Sequence, residues 1–336
     1  MTPDAFLDSV CTAIEGVWRA DSDSLPSALR RWTTDAARQS PQFLHLPLLT
    51  CEATGGDPAH AVPIAAAWHL LHCAAHLLDD VEDQALELHL APARVINWAT
   101  ALTFAAQLSL LHPIRWGVPA ARVLALSQTF NAASLRICAA QDADLAAGPE
   151  GLVLSKAEGN LSLDDYWRIA GAKGGEPLAL ACRAGALLGT QPQTEVDIYA
   201  TFGYHLGVLV QLGDDLHALW TPRGRGDLIT AGRTLPVVYA LTVASSEART
   251  LLHSLLRRAP DDPVALGELQ SVLADLGVLH YLTLQAGKQH HLAREALLSA
   301  ARPAVAQYEL LKLLDAVFPA VARERWTSHP QVSSGD

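Results

Sequence analysis

The chain has no extended block of lysine or arginine, and its 24 basic residues stand against 35 acidic ones, for a net charge of −11. That balance argues against nucleic acid or an anionic membrane surface as the main partner. A secretory signal is also missing, because Asp4, Asp8 and Glu15 interrupt the apolar residues between Met1 and Trp18. The most apolar window, Ala61–Leu78, is broken by His69, His72 and His76, so a buried helix is expected there and no transmembrane segment. Cys11, Cys51, Cys73, Cys138 and Cys182 show no CxxC or metal-ligand spacing. They read as reduced thiols, mostly in the core, of a cytoplasmic protein. No Gly-x-Ser-x-Gly and no dinucleotide fingerprint occurs, and Pro222-Arg-Gly-Arg-Gly226 has neither the preceding strand nor the Gly-Lys-Ser/Thr of a phosphate loop. Runs of β-branched residues are scarce, which speaks against a sheet.

What remains is a chain that is 50% apolar and rich in Ala and Leu at helical spacing. Gly/Pro clusters divide it. Between them the pattern predicts helices near 4–20, 27–39, 43–54, 60–86, 93–110 and 119–146. Further helices follow near 163–188, 195–220, 233–257, 264–275 and 277–320, the last split near Pro303. No flexible linker and no internal repeat appears. The expected architecture is all-α, a single domain over 1–327 with a disordered tail at 328–336. Asp164 and Asp165 follow Ser162 and precede an apolar helix, so they read as N-terminal capping. His290-His291 lacks metal-ligand partners at helical spacing.

One stretch organises the chemistry. Helix 60–86 is apolar nearly all round, then ends in Asp79-Asp80-Val-Glu-Asp83. Asp79 and Asp83 share a helical face. Acids at a helix C-terminus are disfavoured by the macrodipole, so a compensating cation is expected. Mg²⁺ suits such a site, because it takes one or two carboxylates plus water and phosphate oxygens. A second acidic pair, Asp214-Asp215, ends the apolar run Leu206–Gly213. The two clusters are expected to face each other and hold a diphosphate through metal.

These segments, in order, resemble the trans-polyprenyl diphosphate synthase family of class I isoprenoid synthases. Ala65–His72 leading to Asp79–Asp83 is similar to the first Asp-rich helix, including the His seven residues before the acids. Gln141-Asp-Ala-Asp144-Leu145 resembles Gln-x-x-Asp-Leu. Tyr166–Lys173 resembles the Tyr…Lys-Thr segment, with Gly174 in place of Thr. Gly207–Asp215 resembles the second Asp-rich helix, and Gly226-Asp-Leu followed by Arg233-Thr-Leu-Pro236 resembles the loop and helix start beyond it. The likeness runs from about residue 40 to 240. It implies a helical bundle around a deep apolar pocket, a homodimer, and Mg²⁺ bound to an allylic prenyl diphosphate. By resemblance Asp79, Asp83 and Asp214 are the main metal ligands, with Asp80 and Asp215 in support. The metals would stabilise negative charge on the leaving diphosphate, and Lys173 would add a cation. Arg233 and Arg225 align less closely. Gln211, one turn before the second acids, either orients substrate or is a satisfied core amide. Ala74 and Ala75 lie one turn before the first acids, where small side chains leave room for a long prenyl tail. His72 and His76 share the acids' face, and His76 is counted among the substrate-lining residues; core histidines satisfied by backbone carbonyls are the simpler alternative.

The departures from the family pattern shape the functional expectation. Elongating members carry Gly-Gly-Lys-Arg-x-Arg-Pro before the first Asp motif, and those cations bind isopentenyl diphosphate. Here the stretch is Pro41-Gln-Phe43-Leu44-His45-Leu46-Pro47. The family's Arg-Arg after the first motif is replaced by Leu88-His89, and Ala218 stands where a third Asp of the second motif belongs. A second multivalent anion without partners is strongly disfavoured. The expectation is an Mg²⁺-dependent enzyme that ionises one allylic diphosphate, a terpene synthase without isopentenyl diphosphate condensation. Phe43, Leu44 and Leu46 would make the vacated site apolar. The rivals are transfer to another acceptor, such as a peptide or small molecule, ordinary elongation, or a regulatory subunit.

Overall fold

The computed structural model describes residues 2–21, 27–39, 41–82, 90–147, 162–189, 192–222, 228, 231–300 and 305–323. Among these residues there is no strand. The helices are α1 (Pro3–Asp21), α2 (Ser27–Gln39), α3 (Leu46–Ala53), α4 (Pro58–Glu82), α5 (Pro92–Leu111) and α6 (Ala120–Ala147). They continue as α7 (Leu163–Ala170), α8 (Glu176–Leu188), α9 (Gln193–Trp220), α10 (Leu235–Val243), α11 (Ser246–Arg258), α12 (Pro263–Asp275), α13 (Val278–Leu298) and α14 (Val305–Arg323). The expected tail, 328–336, lies outside the described residues.

Two helices set the geometry. Every residue of α4 from Ala61 to Leu70 is buried, as its all-round apolar pattern requires. By length and composition α4 is able to cross a membrane, but 72% of its most apolar window is buried within the bundle. It packs on α1, α3, α5 and α8. The second, α9, packs on α8, α13 and α14, so α8 runs between the two long helices. Four of the five cysteines are buried in this core, and Cys138 is exposed.

The segment expected as one helix over 163–188 is interrupted. Gly171–Gly175 forms a single π-helical turn, the kind of bulge that redirects a side chain. Glycines on both sides explain why it fits. A Cβ on Gly207 of α9 would lie 2.1 Å from the Gly174 carbonyl oxygen and 3.0 Å from the Gly175 Cα. A Cβ on Gly175 would fall 2.7 Å from the Tyr204 ring. The turn is therefore pressed against the backbone of α9.

A second difference lies at 233–257, expected as one helix. The chain instead breaks after Val243, and Ser245 caps α11 by accepting from the Ala248 backbone N–H at 3.2 Å. The cap expected at Ser162 is present: its hydroxyl accepts from Asp165 N at 3.1 Å.

Candidate active site

The C-terminal turns of α4 open one face of that helix. Below Leu70, Ala75 and His76 are exposed while Leu71, His72, Asp79 and Asp80 are half-buried. Ala74 turns the other way and is buried, so of the two small residues Ala75 alone stands on the open face.

Asp79 meets side chains from α6 and the π-turn. Gln141 of α6 donates to Asp79 Oδ1 at 3.0 Å and to Glu82 Oε2 at 2.7 Å. Lys173, carried by the π-turn, places Nζ 3.6 Å from Asp79 Oδ1 and 3.0 Å from Asp144 Oδ2. Arg233 brings Nη1 within 3.3 Å of the same Asp144 oxygen. Asp144 is 5% exposed, and one buried carboxylate thus holds two cations side by side. Without it they would repel each other. Asp144 and Gln141 carried no assigned role in the sequence, although their motif was visible. Their task depends on partners from three other segments.

The second acidic pair splits. Asp214 is exposed and Asp215 is buried, as expected of neighbours about 100° apart around a helix. Asp215 Oδ2 accepts from the Tyr166 hydroxyl and the Leu235 backbone N–H, both at 2.7 Å. Its Oδ1 accepts from Gln211 Nε2 at 2.9 Å. Burial raises its pKa to about 6, although those three donors pull the other way. Asp215 ties α7, α9 and the start of α10 together from inside the wall. Gln211, half-buried, is engaged within the wall through its bond to Asp215. His217 turns Nδ1 back to the Gly213 carbonyl at 2.8 Å.

The histidines also differ from the simpler expectation. His69 bonds a carbonyl, that of Thr33, at 2.8 Å. His72 and His76 bond each other, Nε2 to Nε2, at 3.1 Å. The segment thought to make a second site apolar is corrected in part. Leu44 and Leu46 are 1% and 0% exposed and belong to the core, whereas Phe43 is half-buried. His45 spans back to the Pro3 carbonyl at 3.1 Å. Asp83, Arg225, Leu88 and His89 lie outside the described residues.

Asp79, Glu82 and Asp144, brought together by Gln141 and Lys173, offer oxygen, the donor type that a hard divalent cation takes. Among the described residues no three acidic, His or Cys side chains form a ready-made metal cluster. An open groove between α6, α8 and α9, lined by Arg136, Glu176, Arg183 and Tyr204, contains none of these residues.

The fold places the chain in a class first. It resembles the crystal structure of a polyprenyl synthetase from Streptomyces coelicolor with a TM-score of 0.73, at 24% identity, covering 94% of this chain and 99% of that one. A decaprenyl diphosphate synthase from Rhodobacter capsulatus gives a TM-score of 0.76 at 19% identity, covering 95% and 99%. These likenesses establish the all-α isoprenoid synthase fold. The polyprenyl synthetase family model matches residues 44–273, and the chain belongs to that family. A (2E,6E)-farnesyl diphosphate synthase of Mycobacterium bovis is 27% identical over 236 residues, 68% of this chain and 64% of the relative. A geranylgeranyl diphosphate synthase of Mycobacterium tuberculosis is 29% identical over 251 residues, 67% and 66%. The match thus spans just under two thirds of each relative's length.

Proposed function

We propose that this protein ionises a single allylic prenyl diphosphate and does not pass the cation to isopentenyl diphosphate. The observation that carries this reading is the Pro41–Pro47 segment. It contains no Lys or Arg, Leu44 and Leu46 are core residues, and His45 is tied to α1. Across the open site, Lys173 and Arg233 already share one carboxylate. A second diphosphate entering beside Pro41–Pro47 loses its hydration against a segment that offers no Lys or Arg, a strongly unfavourable exchange.

Lys173 and Arg233 would turn from Asp144 toward the diphosphate oxygens, and Asp144 keeps them poised until substrate arrives. Asp79, Asp80, Asp83 and Asp214 would hold Mg²⁺, which when bound supplies positive charge to the leaving diphosphate. The open face of α4, with Ala75 at its centre, would take the first isoprene unit. The apolar bundle interior beyond it excludes water from the cation. The cation then ends by elimination, cyclisation or capture by an acceptor that carries no diphosphate. Ordinary elongation is the second reading, favoured by the activities named for the mycobacterial relatives.

An assembly proposal accompanies this one. Ile96, Phe104, Leu108 and Leu111 line one face of α5 and are exposed, as is Trp116 just beyond. A stripe of this kind supports a homodimer joined through α5. Incubation with Mg²⁺ and one allylic diphosphate tests the function. Diphosphate and a hydrocarbon or alcohol should form from that substrate alone. Longer prenyl diphosphates that appear only on adding isopentenyl diphosphate would overturn it.

A further inference from the structure

The open face of α4 carries a group that diphosphate binding does not use. Trp68 is 3% exposed, and its indole Nε1 donates to the Pro177 carbonyl of α8 at 2.7 Å. His72 stacks on Trp68, with ring centroids 5.1 Å apart and planes 10° from parallel. His76 stands edge-on to His72, centroids 4.4 Å apart, and the Nε2 atoms meet at 3.1 Å. This ladder climbs from a fixed aromatic in the core to an exposed imidazole one turn before Asp79.

Water reaches His72, yet desolvation, then His76 and His69, depress its pKa to about 3. His72 therefore stays neutral. Two neutral imidazoles in Nε2 contact are one donor and one acceptor. With the Nε2–H of His76 donated to His72, the lone pair of His76 sits on Nδ1.

Position along the helix supplies the reach. Three residues separate His76 from Asp79, about 4.5 Å of helical rise. In an allylic cation the charge is shared between C1 and C3. The acidified protons are on the carbons attached to C3, about 4 Å from C1 by ordinary bond lengths. A diphosphate held at the level of Asp79, with its tail directed toward the buried part of α4, brings those protons to the level of His76.

We propose that His76 is the catalytic base that ends the reaction, and that His72 positions it by fixing its tautomer. Cleavage of the C1–O bond sends its electron pair to diphosphate. Nδ1 of His76 then takes a proton from a carbon attached to C3, and the C–H pair becomes a new C=C bond. The product is a conjugated diene, and the imidazolium returns its proton to water at the open face. This assignment rests on the reading that one allylic diphosphate is consumed alone.

The test is the ratio of diene to alcohol among molecules that have released diphosphate. It is read by mass spectrometry with one allylic diphosphate and Mg²⁺, so a loss of overall rate does not obscure it. His76→Phe and His76→Gln each remove the base while keeping bulk or polarity. Both should lower the ratio about 100-fold, the scale of general-base catalysis, as water captures the cation instead. His72→Phe should lower it less and leave the alcohol the minor product. An unchanged ratio in both His76 variants, with the wild type making diene, overturns the base assignment alone. A wild type that makes only longer diphosphates overturns the functional reading and the base together.

Discussion

Substituting Gly207 by alanine tests whether the π-turn is held by α9. The new methyl would lie 2.1 Å from the Gly174 oxygen, 2.9 Å from its carbonyl carbon and 3.0 Å from the Gly175 Cα. All three atoms are backbone, so no side-chain rotation relieves the contact. Overpacking of this kind costs about 1–3 kcal/mol, set against about 0.5–1 kcal/mol gained by replacing a mid-helix glycine. Gly267 in α12 and Gly287 in α13 are the controls, since a Cβ at either meets nothing within 4 Å. Alanine there should stabilise by about 0.5–1 kcal/mol. The same substitution should therefore lower the denaturant midpoint at 207 and raise it at 267 and 287. The Gly207 variant should also lose diphosphate release, because the turn that must move carries Lys173 away from Asp144. Equal stability of the Gly207→Ala and Gly287→Ala proteins, with diphosphate release intact in both, would refute the packing argument.

Other outcomes follow from the same geometry. Asp144→Ala removes the buried carboxylate that Lys173 and Arg233 share and should cost about 3 kcal/mol in chemical denaturation; an unshifted midpoint would contradict the buried triad. Asp215 has its pKa raised to about 6, so its favourable contribution is complete below the ordinary carboxylate value and is lost as pH rises through about 6. Compared with Asp215→Asn in the presence of chelator, the wild type should lose up to about 3 kcal/mol between pH 4 and 7; a pH-independent difference would reject the buried-wall assignment. Asp79→Ala, or chelation of Mg²⁺, should abolish diphosphate release without unfolding the bundle, as followed by far-ultraviolet circular dichroism; full release in either case removes Asp79 from the site.

The residues that were legible are those whose role is local or periodic. The all-round apolar run Ala61–Leu70 marked α4 as central, and Ser162 announced its helix. The π-turn was not legible, because Gly171-Ala-Lys-Gly-Gly175 reads as a weak helix until Gly207 and Tyr204 are placed against it. Asp214 and Asp215 are indistinguishable in sequence. Which one turns inward is decided by Tyr166 and by the Leu235 N–H, far away along the chain. Asp144 was passed over for the same reason, since it acts through Lys173 and Arg233. The break at Ser245 was hidden by good helix formers on both sides. Leu44 and Leu46 belong to the core and not to a pocket wall, because burial depends on how the turn before α3 is folded against the bundle.

The central claim is that the second diphosphate site is gone, and equilibrium binding of isopentenyl diphosphate measures it directly. The titration is run with Mg²⁺ and with the allylic site filled by a non-ionisable analogue. The account predicts no saturable binding up to about 1 mM, a free energy weaker than about −4 kcal/mol. Saturable binding of one equivalent per chain at micromolar concentration, retained after Lys173→Ala, would contradict it.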